Sequence, residues 1–269
     1  MKILGIESAS LVASAAIVTD GLLIAEYTVN YKKTHSQTLL PMIDEIFRMT
    51  ETEPSEIDAI AVSAGPGSFT GLRIGAATAK GLGLALGRPL IAVPTLDATA
   101  YGVYDASALV CPVMDARRSQ VYNGIYRFRD GRLEILEKSR AIGADELVRE
   151  LNGRGERVIF LGDGVPVMEG PAKKLTVPYS FAPAHVNRQR AASVAALGAL
   201  MYKEGRTMPA EDFAPDYLRK SQAEREREEA ARREAKRAEA EAARIKADGK
   251  AAGNIAKHTD GEAAGKEEA

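Results

Sequence analysis

Acidic residues stand at matching places in the two halves of the chain. Glu7 ends the first apolar segment, Asp115 ends an apolar run in the second half, and Asp163 lies between Gly162 and Gly164. Carboxylates at strand ends, beside tight turns, can hold magnesium and orient water in a nucleotide cleft. The pattern therefore indicates a cleft of nucleotide-binding ancestry between two lobes.

The turns after Glu7 and Asp115 lack the glycines of a phosphate cradle. They read Ser8-Ala9-Ser10-Leu11 and Ala116-Arg117-Arg118-Ser119. Side chains at these positions would obstruct the close approach of a phosphate to the backbone. We therefore interpret the cleft as vestigial. Arg117 and Arg118 are interpreted as solvated surface residues, and contact with a partner carboxylate or an RNA phosphate is the alternative.

The densest glycine cluster lies between an apolar strand and a helix rich in small residues. Its glycines permit positive φ angles or close approach of another surface, and Thr70 is placed to cap the helix. Free N–H groups at such a helix start can hold a phosphate; the alternative is a tight turn that lets the helix pack closely. Neither the P-loop nor the dinucleotide spacing is present. The residues assigned to this structural motif are Gly65, Gly67, Thr70, Gly71 and Arg73.

One order of elements occurs twice along the chain. In each half, three strands are followed by a helix, a strand and a helix. In that order, the predicted elements of the first half are residues 2–8, 13–19, 22–30, 36–49, 57–63 and 70–86. Those of the second half are residues 109–115, 120–127, 132–139, 145–152, 157–161 and 188–204. The repeat predicts a duplicated α/β fold of two lobes, each a mixed sheet flanked by helices, and by analogy the actin-like, RNase H-like architecture. The predicted domains are 1–105, 106–220 and a charged helical or disordered tail, 221–269.

Composition narrows the classes of function. A formal net charge of -1 over 269 residues gives no field that draws the chain to nucleic acid or to an anionic membrane, so an RNA role would need a partner. The single cysteine, Cys111, lies in an apolar run, and we interpret it as a core residue in a reducing compartment. No leader and no apolar stretch of about 20 residues is present, so we expect a cytoplasmic protein.

Several segments of the chain together carry a family resemblance. They are Ile3-Leu4-Gly5-Ile6-Glu7-Ser8, His35-Ser36-Gln37-Thr38-Leu39-Leu40-Pro41, the glycine cluster continuing through Ala79-Lys80-Gly81-Leu82, Asp115-Ala116-Arg117-Arg118-Ser119-Gln120-Val121-Tyr122, Gly162-Asp163-Gly164, and Pro215-Asp216-Tyr217-Leu218-Arg219-Lys220 with Ala223-Glu224. Over about residues 1–226 the chain resembles the TsaB family, also called YeaZ. The core of the glycine cluster, Ser68-Phe69-Thr70-Gly71-Leu72-Arg73, is the most specific of these segments.

The resemblance implies a role in threonylcarbamoylation of the adenosine 3′ of the anticodon, in tRNAs that read codons beginning with A. In that family a TsaD-type paralogue carries the transfer chemistry, a TsaE-type protein supplies an ATPase, and TsaB is a non-catalytic partner. The chain would then be a scaffold without an intrinsic cofactor, and tRNA would be reached through the complex. A nucleotide at the partner interface and a homodimer without the partner both stay open.

The histidines agree with a non-catalytic role. A TsaD-type catalyst adds a His-x-x-x-His pair whose imidazoles lie one helical turn apart and can share a metal. Here Leu39 stands four residues after His35, and His185 and His258 are distant in sequence. We therefore predict no metal site and no catalytic residue, and we interpret His35 as a helix-start or surface residue.

Two apolar helix faces, in 36–49 and 70–86, form the predicted pairing surface. The residues assigned to it are Leu39, Leu40, Ile43, Phe47, Leu72, Ala76, Ala79 and Gly83. The alternative is that they only cover their own sheet.

Two other functions compete with the scaffold. One is an independent ATPase or small-molecule kinase that uses the cleft, with Glu7 or Asp115 as base or magnesium ligand. The other is a metallopeptidase, which the missing histidine pair argues against.

Overall fold

A computed structural model describes residues 1–31, 34–219, 227 and 232–235. The chain divides into a large unit, Met1–Leu218, and a second unit, Arg219–Ala269. The predicted tail at 221–269 therefore lies almost entirely outside the described residues. The large unit contains two five-stranded sheets, which form the two lobes.

The first lobe is built from five strands and three helices. They are β1 (Lys2–Glu7), β2 (Ala13–Thr19), β3 (Leu22–Val29), α1 (His35–Met49), β4 (Ala59–Gly65), α2 (Phe69–Leu86), β5 (Leu90–Pro94) and α3 (Thr95–Tyr101). The strand order is β3-β2-β1-β4-β5. Strand β1 is antiparallel to β2 and parallel to β4, so the sheet is mixed.

The second lobe repeats that topology. Its elements are β6 (Leu109–Asp115), β7 (Gln120–Arg129), β8 (Arg132–Gly143), α4 (Ala144–Arg154), β9 (Val158–Leu161), α5 (Val165–Met168) and β10 (Tyr179–Phe181). Read from its other edge, the order β8-β7-β6-β9-β10 matches that of the first sheet, with β6 antiparallel to β7 and parallel to β9. The predicted duplicated actin-like fold is therefore confirmed.

Helix α6 (Ala191–Lys203) follows the second sheet in sequence but packs on the first. Val194 and Ala195 are buried against strands β1 and β4, in a core that includes Ile3 and Ala61. After α6, the backbone N–H and C=O of Met208 both bond with Leu90, each at 2.9 Å. The range 106–220, predicted as the second lobe, thus sends its C-terminal part back to the first, because this apolar helix covers a sheet face that α1 and α2 leave open.

Some local features of the structure were not predicted from the sequence. Helix α1 runs through Pro41, which lies in its second turn. A proline there leaves the carbonyl of Gln37 without its helical N–H partner, and Gln37 is exposed, so water can supply the bond. The short edge strand β10 was also missed, because three residues carry too little periodicity to indicate a strand.

Candidate functional site

Glu7 lies at the C-terminal end of β1, where the two lobes meet. Its side chain is only 1% exposed, and its Oε1 accepts a hydrogen bond from the Ala9 N–H at 2.6 Å. Burial raises the pKa of Glu7 to about 8, and the charge of Asp163 adds to this rise, while hydrogen bonds from Ala9, Ser63 and Ser8 oppose it. Glu7 is therefore mostly protonated at neutral pH.

Asp163 comes to the same junction from the second lobe. Its turn fits closely against β6: a Cβ on Gly162, whose φ is +103°, would lie 2.2 Å from the Val113 carbonyl oxygen. Burial raises the pKa of Asp163, although the hydrogen bond from Gln189 lowers it and Asp115 raises it further. Glu7 and Asp163 thus interact electrostatically across the lobe junction, and Asp163 also interacts with Asp115.

Asp115 differs from the other two carboxylates because it is half-exposed and satisfied by its own turn. It accepts hydrogen bonds from the Arg117 backbone N–H at 2.7 Å and from Arg117 Nη1 at 3.3 Å. Residues Arg117, Arg118 and Ser119 all have positive φ, between 53° and 66°, a conformation that costs non-glycine residues roughly 1–2 kcal/mol each. The β6–β7 turn is therefore crowded with side chains where a phosphate cradle would need glycine.

The glycine motif is used for close packing within the first lobe. A Cβ on Gly65 (φ +126°) would lie 2.2 Å from the Asp216 carbonyl oxygen, one on Gly67 would lie 2.4 Å from that of Ala9, and one on Gly71 would lie 2.1 Å from that of Ser8. These close contacts match the tight-turn alternative. The β1–β2 loop thus occupies the space in front of the motif.

The start of α2 is capped differently from the prediction. Ser68, not Thr70, is the N-cap, and its Oγ accepts a hydrogen bond from the Gly71 N–H at 3.3 Å. The Ser68 N–H is itself bonded to the Ala9 carbonyl at 2.6 Å. Thr70 cannot be the cap, because the helix begins at Phe69 and a Thr70 cap would require it to begin at Gly71. Thr70 is instead an exposed residue of the first helical turn. Of the N–H groups that the phosphate hypothesis invoked, those of Ser68 and Gly71 are already bonded.

Arg73 of the motif reaches back along α2. Its guanidinium carbon lies 4.1 Å above the centre of the Phe69 ring, and the Tyr217 ring centre lies 4.7 Å from that of Phe69. Such a stack is worth roughly 0.5–1 kcal/mol at an exposed site. Arg73 and Phe69 therefore hold the segment around Tyr217 against the helix start.

Gln189 is a site residue that the sequence prediction missed. It is 1% exposed, its Nε2 donates to Asp163 Oδ1 at 2.7 Å, and its Oε1 accepts from Ser10 Oγ at 3.3 Å. In the sequence it stands between two arginines, Arg188 and Arg190, in a segment that reads as a polar helix start. No local signal distinguishes it from a surface glutamine, because its partners are distant in sequence.

Most of the predicted pairing surface lies in the core. Seven of its eight residues are buried: Leu39, Ile43, Phe47, Leu72, Ala76, Ala79 and Gly83. The expectation that they form an exposed face is wrong, because most of them cover the first sheet and Leu72 packs in the core that the two lobes share. Leu40, 54% exposed, is the exception. Other apolar side chains reach solvent from the same helices, namely Met49 on α1 and Leu84 on α2.

The described residues offer few other groups that could bind a metal or take part in catalysis. Among them, no group of three or more His, Cys, Asp or Glu side chains could hold a metal ion. His35 begins α1, and its Nε2 lies 3.0 Å from the Val12 carbonyl oxygen. Cys111 is fully buried, and burial raises the pKa of its thiol to about 12. No helix in the described part of the chain is long and apolar enough to cross a membrane.

Comparisons with known proteins agree on one group of relatives. The family model "TsaD: tRNA N6-adenosine threonylcarbamoyltransferase" matches residues 23–227. The tRNA threonylcarbamoyladenosine biosynthesis protein TsaB of Bacillus subtilis is 31% identical over 83% of this chain and 96% of its own length. Its Escherichia coli counterpart is 30% identical over the same shares. The structure of YeaZ from Pseudomonas aeruginosa aligns with a TM-score of 0.69 at 25% identity, covering 81% of this chain and 99% of that one.

Proposed function

Because the chain belongs to the TsaB family, we propose that it acts in the biosynthesis of threonylcarbamoyladenosine in tRNA, as a non-catalytic subunit. In this proposal it pairs with a TsaD-type paralogue and a TsaE-type ATPase. The complex transfers the threonylcarbamoyl group to the adenosine 3′ of the anticodon in tRNAs that read codons beginning with A.

The state of the lobe junction is the observation that carries the non-catalytic part of the proposal. Magnesium-dependent phosphate chemistry needs ionised carboxylates that face open space. Glu7 is instead buried and accepts a hydrogen bond from the Ala9 N–H, Asp163 accepts one from Gln189, and Asp115 accepts one from Arg117. Each carboxylate is therefore held by groups of the protein itself.

The match to the TsaD model supports pairing between paralogues. It covers residues 23–227, which include parts of both lobes, so a TsaD-type partner is expected to share the same fold. We propose that pairing uses the outer sides of α1 and α2, where Leu40, Met49 and Leu84 are exposed.

The proposal includes four further points. A nucleotide can lie at the interface with the partner, and this chain can form a homodimer when the partner is missing. The protein is cytoplasmic and has no membrane partner, and tRNA binds the complex rather than this chain alone.

Reconstitution tests the proposed function. Threonylcarbamoyl transfer to tRNA would be measured with a matched TsaD-type and TsaE-type protein and supplied threonylcarbamoyl-adenylate, with this chain, without it, and with this chain alone. We expect transfer only in the complete mixture. Full transfer without the chain would refute a required scaffold.

A second candidate, an independent ATPase or small-molecule kinase, is favoured by one observation. Glu7, Asp115 and Asp163 converge at a junction between two lobes, as acidic groups do in nucleotide clefts. Release of phosphate from ATP by the isolated chain, lost in Asp115→Asn, would support it. If the isolated chain releases phosphate from ATP no faster than buffer alone does, the scaffold is the remaining candidate function.

A further inference from the structure

Strand β3 is an edge of the first sheet, and its exposed side chains are largely apolar. Among the described strands it pairs with β2 alone. Five large apolar side chains on β3 and just after it have between 42% and 67% of their surface exposed, namely Leu22, Leu23, Ile24, Tyr27 and Tyr31. Such an edge presents backbone N–H and C=O groups beside apolar side chains, so another strand can pair with it.

The other sheet edges in the described part of the chain are protected against such pairing. In the first sheet, Leu90 on β5 already exchanges two backbone hydrogen bonds with Met208, each at 2.9 Å. In the second sheet, β10 has only three residues and lies between Pro178 and Pro183. Strand β8 carries charges along its length, namely Arg132, Glu134, Glu137, Lys138 and Arg140. Short strands, prolines and charges are common means of keeping other strands away from an edge.

Strand β3 is neither short nor interrupted by proline, and it exposes almost no charge. Its one charged residue is Glu26, whose side chain is 7% exposed and pairs with Arg190 and with the backbone N–H of Ala192. This carboxylate therefore points toward the start of α6. Two copies of β3 can lie side by side without bringing unpaired like charges together, whereas two copies of a charged edge cannot. The charge pattern thus favours a second copy of this chain as the occupant.

The regular part of β3 indicates where such a pair would be centred. The register of β3 on β2 shifts between Ile17 and Val18, so the uninterrupted stretch is 25–29. Tyr27 is the middle residue of this stretch and is 45% exposed. A two-fold axis between identical antiparallel strands places one residue opposite its own copy. An axis at Tyr27 would use the whole stretch and form a cross-strand aromatic pair, which stabilises antiparallel strands.

The exposed apolar area at this edge is sufficient for a specific contact. From their exposed fractions, the five side chains offer about 500 Å² in each copy. Two copies would therefore bury about 1,000 Å², which is the lower limit for specific protein interfaces. An interface of this size predicts a reversible dimer rather than a permanent one.

We propose that β3 is a self-association edge, at which two copies of this chain pair antiparallel through residues 25–29 and join their first-lobe sheets into one continuous sheet. The proposal names a surface for the homodimer that the proposed function includes, and to that extent it rests on the proposed function. It does not use Leu40, Met49 or Leu84, which the proposed function assigns to the TsaD-type partner.

Sedimentation velocity of the isolated chain tests this edge. It would be recorded from low to high micromolar concentrations for the parent protein and for Tyr27→Lys and Ile24→Lys. One matched control is Ile135→Lys on β8, where the isoleucine is 48% exposed at a different sheet edge. The other is Leu40→Asp on α1, which distinguishes the β3 edge from the surface proposed for the partner. Thermal unfolding checks that each variant is folded.

We expect a monomer–dimer equilibrium in the parent, with a dissociation constant raised about tenfold or more in Tyr27→Lys and Ile24→Lys, because like charges then meet across the two-fold axis. Ile135→Lys and Leu40→Asp should keep the dissociation constant of the parent. A parent that stays monomeric at all concentrations would overturn the proposal. A dimer that is lost in Leu40→Asp and kept in Tyr27→Lys would overturn it as well.

Disulfide crosslinking tests the antiparallel arrangement and does not depend on the lysine variants. Tyr27→Cys should give a covalent dimer on mild oxidation, because directly opposite Cβ atoms lie about 4.5–5.5 Å apart. Tyr31→Cys, at a more exposed tyrosine, should not, and Cys111 is buried. Equal crosslinking of both variants would refute the axis at Tyr27. Threonylcarbamoyl transfer is a separate measurement, so failure of the proposed function and failure of the β3 edge are distinguishable.

Discussion

At the scale of single residues, Glu7 and Asp115 occupy equivalent positions in the two lobes but have different environments. Glu7 is buried between the lobes and keeps its proton, whereas Asp115 is half-exposed and bonded to Arg117 in its own turn. The difference follows from what surrounds each strand end: Glu7 is fully buried beside Asp163 of the second lobe, while solvent reaches Asp115. The position of a carboxylate in a repeat therefore does not determine how deeply it is buried.

The buried proton on Glu7 makes the stability of the protein depend on pH. The folded chain binds this proton up to about pH 8, while the unfolded chain releases it near pH 4.5, so the free energy of unfolding should fall as pH rises between these values. The slope is at most about 1.4 kcal/mol per pH unit. Urea denaturation at several pH values measures it. Glu7→Gln should reduce the slope, and an equal slope in both proteins would contradict the assignment of the proton to Glu7.

Two glycines of α2 provide a matched pair of substitutions. Gly71→Ala would place its Cβ 2.1 Å from the Ser8 carbonyl oxygen, which is backbone and cannot move without shifting β1, so we expect a loss of about 1–3 kcal/mol of stability. A Cβ on Gly81 would have no neighbouring atom within 4 Å, and Gly81→Ala should stabilise by about 0.5–1 kcal/mol. Thermal or urea unfolding distinguishes them. Equal effects would mean that the close contact at Gly71 does not constrain the motif.

At the scale of elements, the start of α6 is capped by residues far away in sequence. The Ala191 N–H donates to Ser14 Oγ and the Ala192 N–H donates to Glu26 Oε1, each at 3.0 Å. Glu26 also pairs with Arg190, and its side chain is only 7% exposed. A negative charge at a helix N-terminus is favourable because it meets the positive end of the helix dipole. Strands β2 and β3 thus fix where the last helix begins.

Removal of Glu26 should therefore cost far more than removal of a surface glutamate. We expect Glu26→Ala to lower the free energy of unfolding by about 3–5 kcal/mol, because it leaves the partly buried Arg190 without its carboxylate and takes a cap from α6. Glu156 pairs with Arg127 at a more exposed site, and Glu156→Ala should cost less than about 1 kcal/mol. Chemical denaturation of both variants tests this. Similar losses would refute the capping role.

At the scale of the whole molecule, the two lobes are joined by a shared apolar core. The lobes share a core in which Ala9, Leu72 and Leu96 of the first lobe pack with Val110 and Tyr126 of the second. The carboxylates at the junction are bonded internally, while apolar side chains on α1 and α2 reach solvent. The exposed apolar side chains on α1 and α2 are the surface that the proposed function assigns to the partner.

Substitutions that introduce a charged side chain test the proposed pairing surface. We expect Leu40→Asp and Leu84→Asp each to weaken binding of a TsaD-type partner by tenfold or more, because a carboxylate in an apolar contact lacks a compensating group. Leu22→Asp, at an equally exposed leucine on β3, is the control and should leave affinity unchanged. Titration calorimetry or sedimentation gives the affinities. A loss of affinity in the Leu22→Asp control alone would instead indicate that the interface lies at the β3 edge.

Local patterns in the sequence were sufficient to predict the repeated element order, the strand ends that carry Glu7 and Asp115, and the family. Strand β2 was predicted with its observed bounds, since its short run of small and apolar residues and the Asp20-Gly21 turn are encoded by neighbouring residues. The core role of Cys111 was also predicted from its apolar neighbours. In each of these cases the determining interactions lie within a few residues along the chain.

Tertiary structure alone decided which lobe α6 covers, which residues of α1 and α2 are exposed, and what Gln189 binds. An apolar helix face has the same periodicity whether it meets its own sheet, a distant sheet or another protein, so Ile43 and Ala79 could not be assigned from the sequence. Gln189 reaches Ser10 across 179 residues. The proton on Glu7 depends on burial by both lobes, which is a property of the assembled fold and not of any local segment.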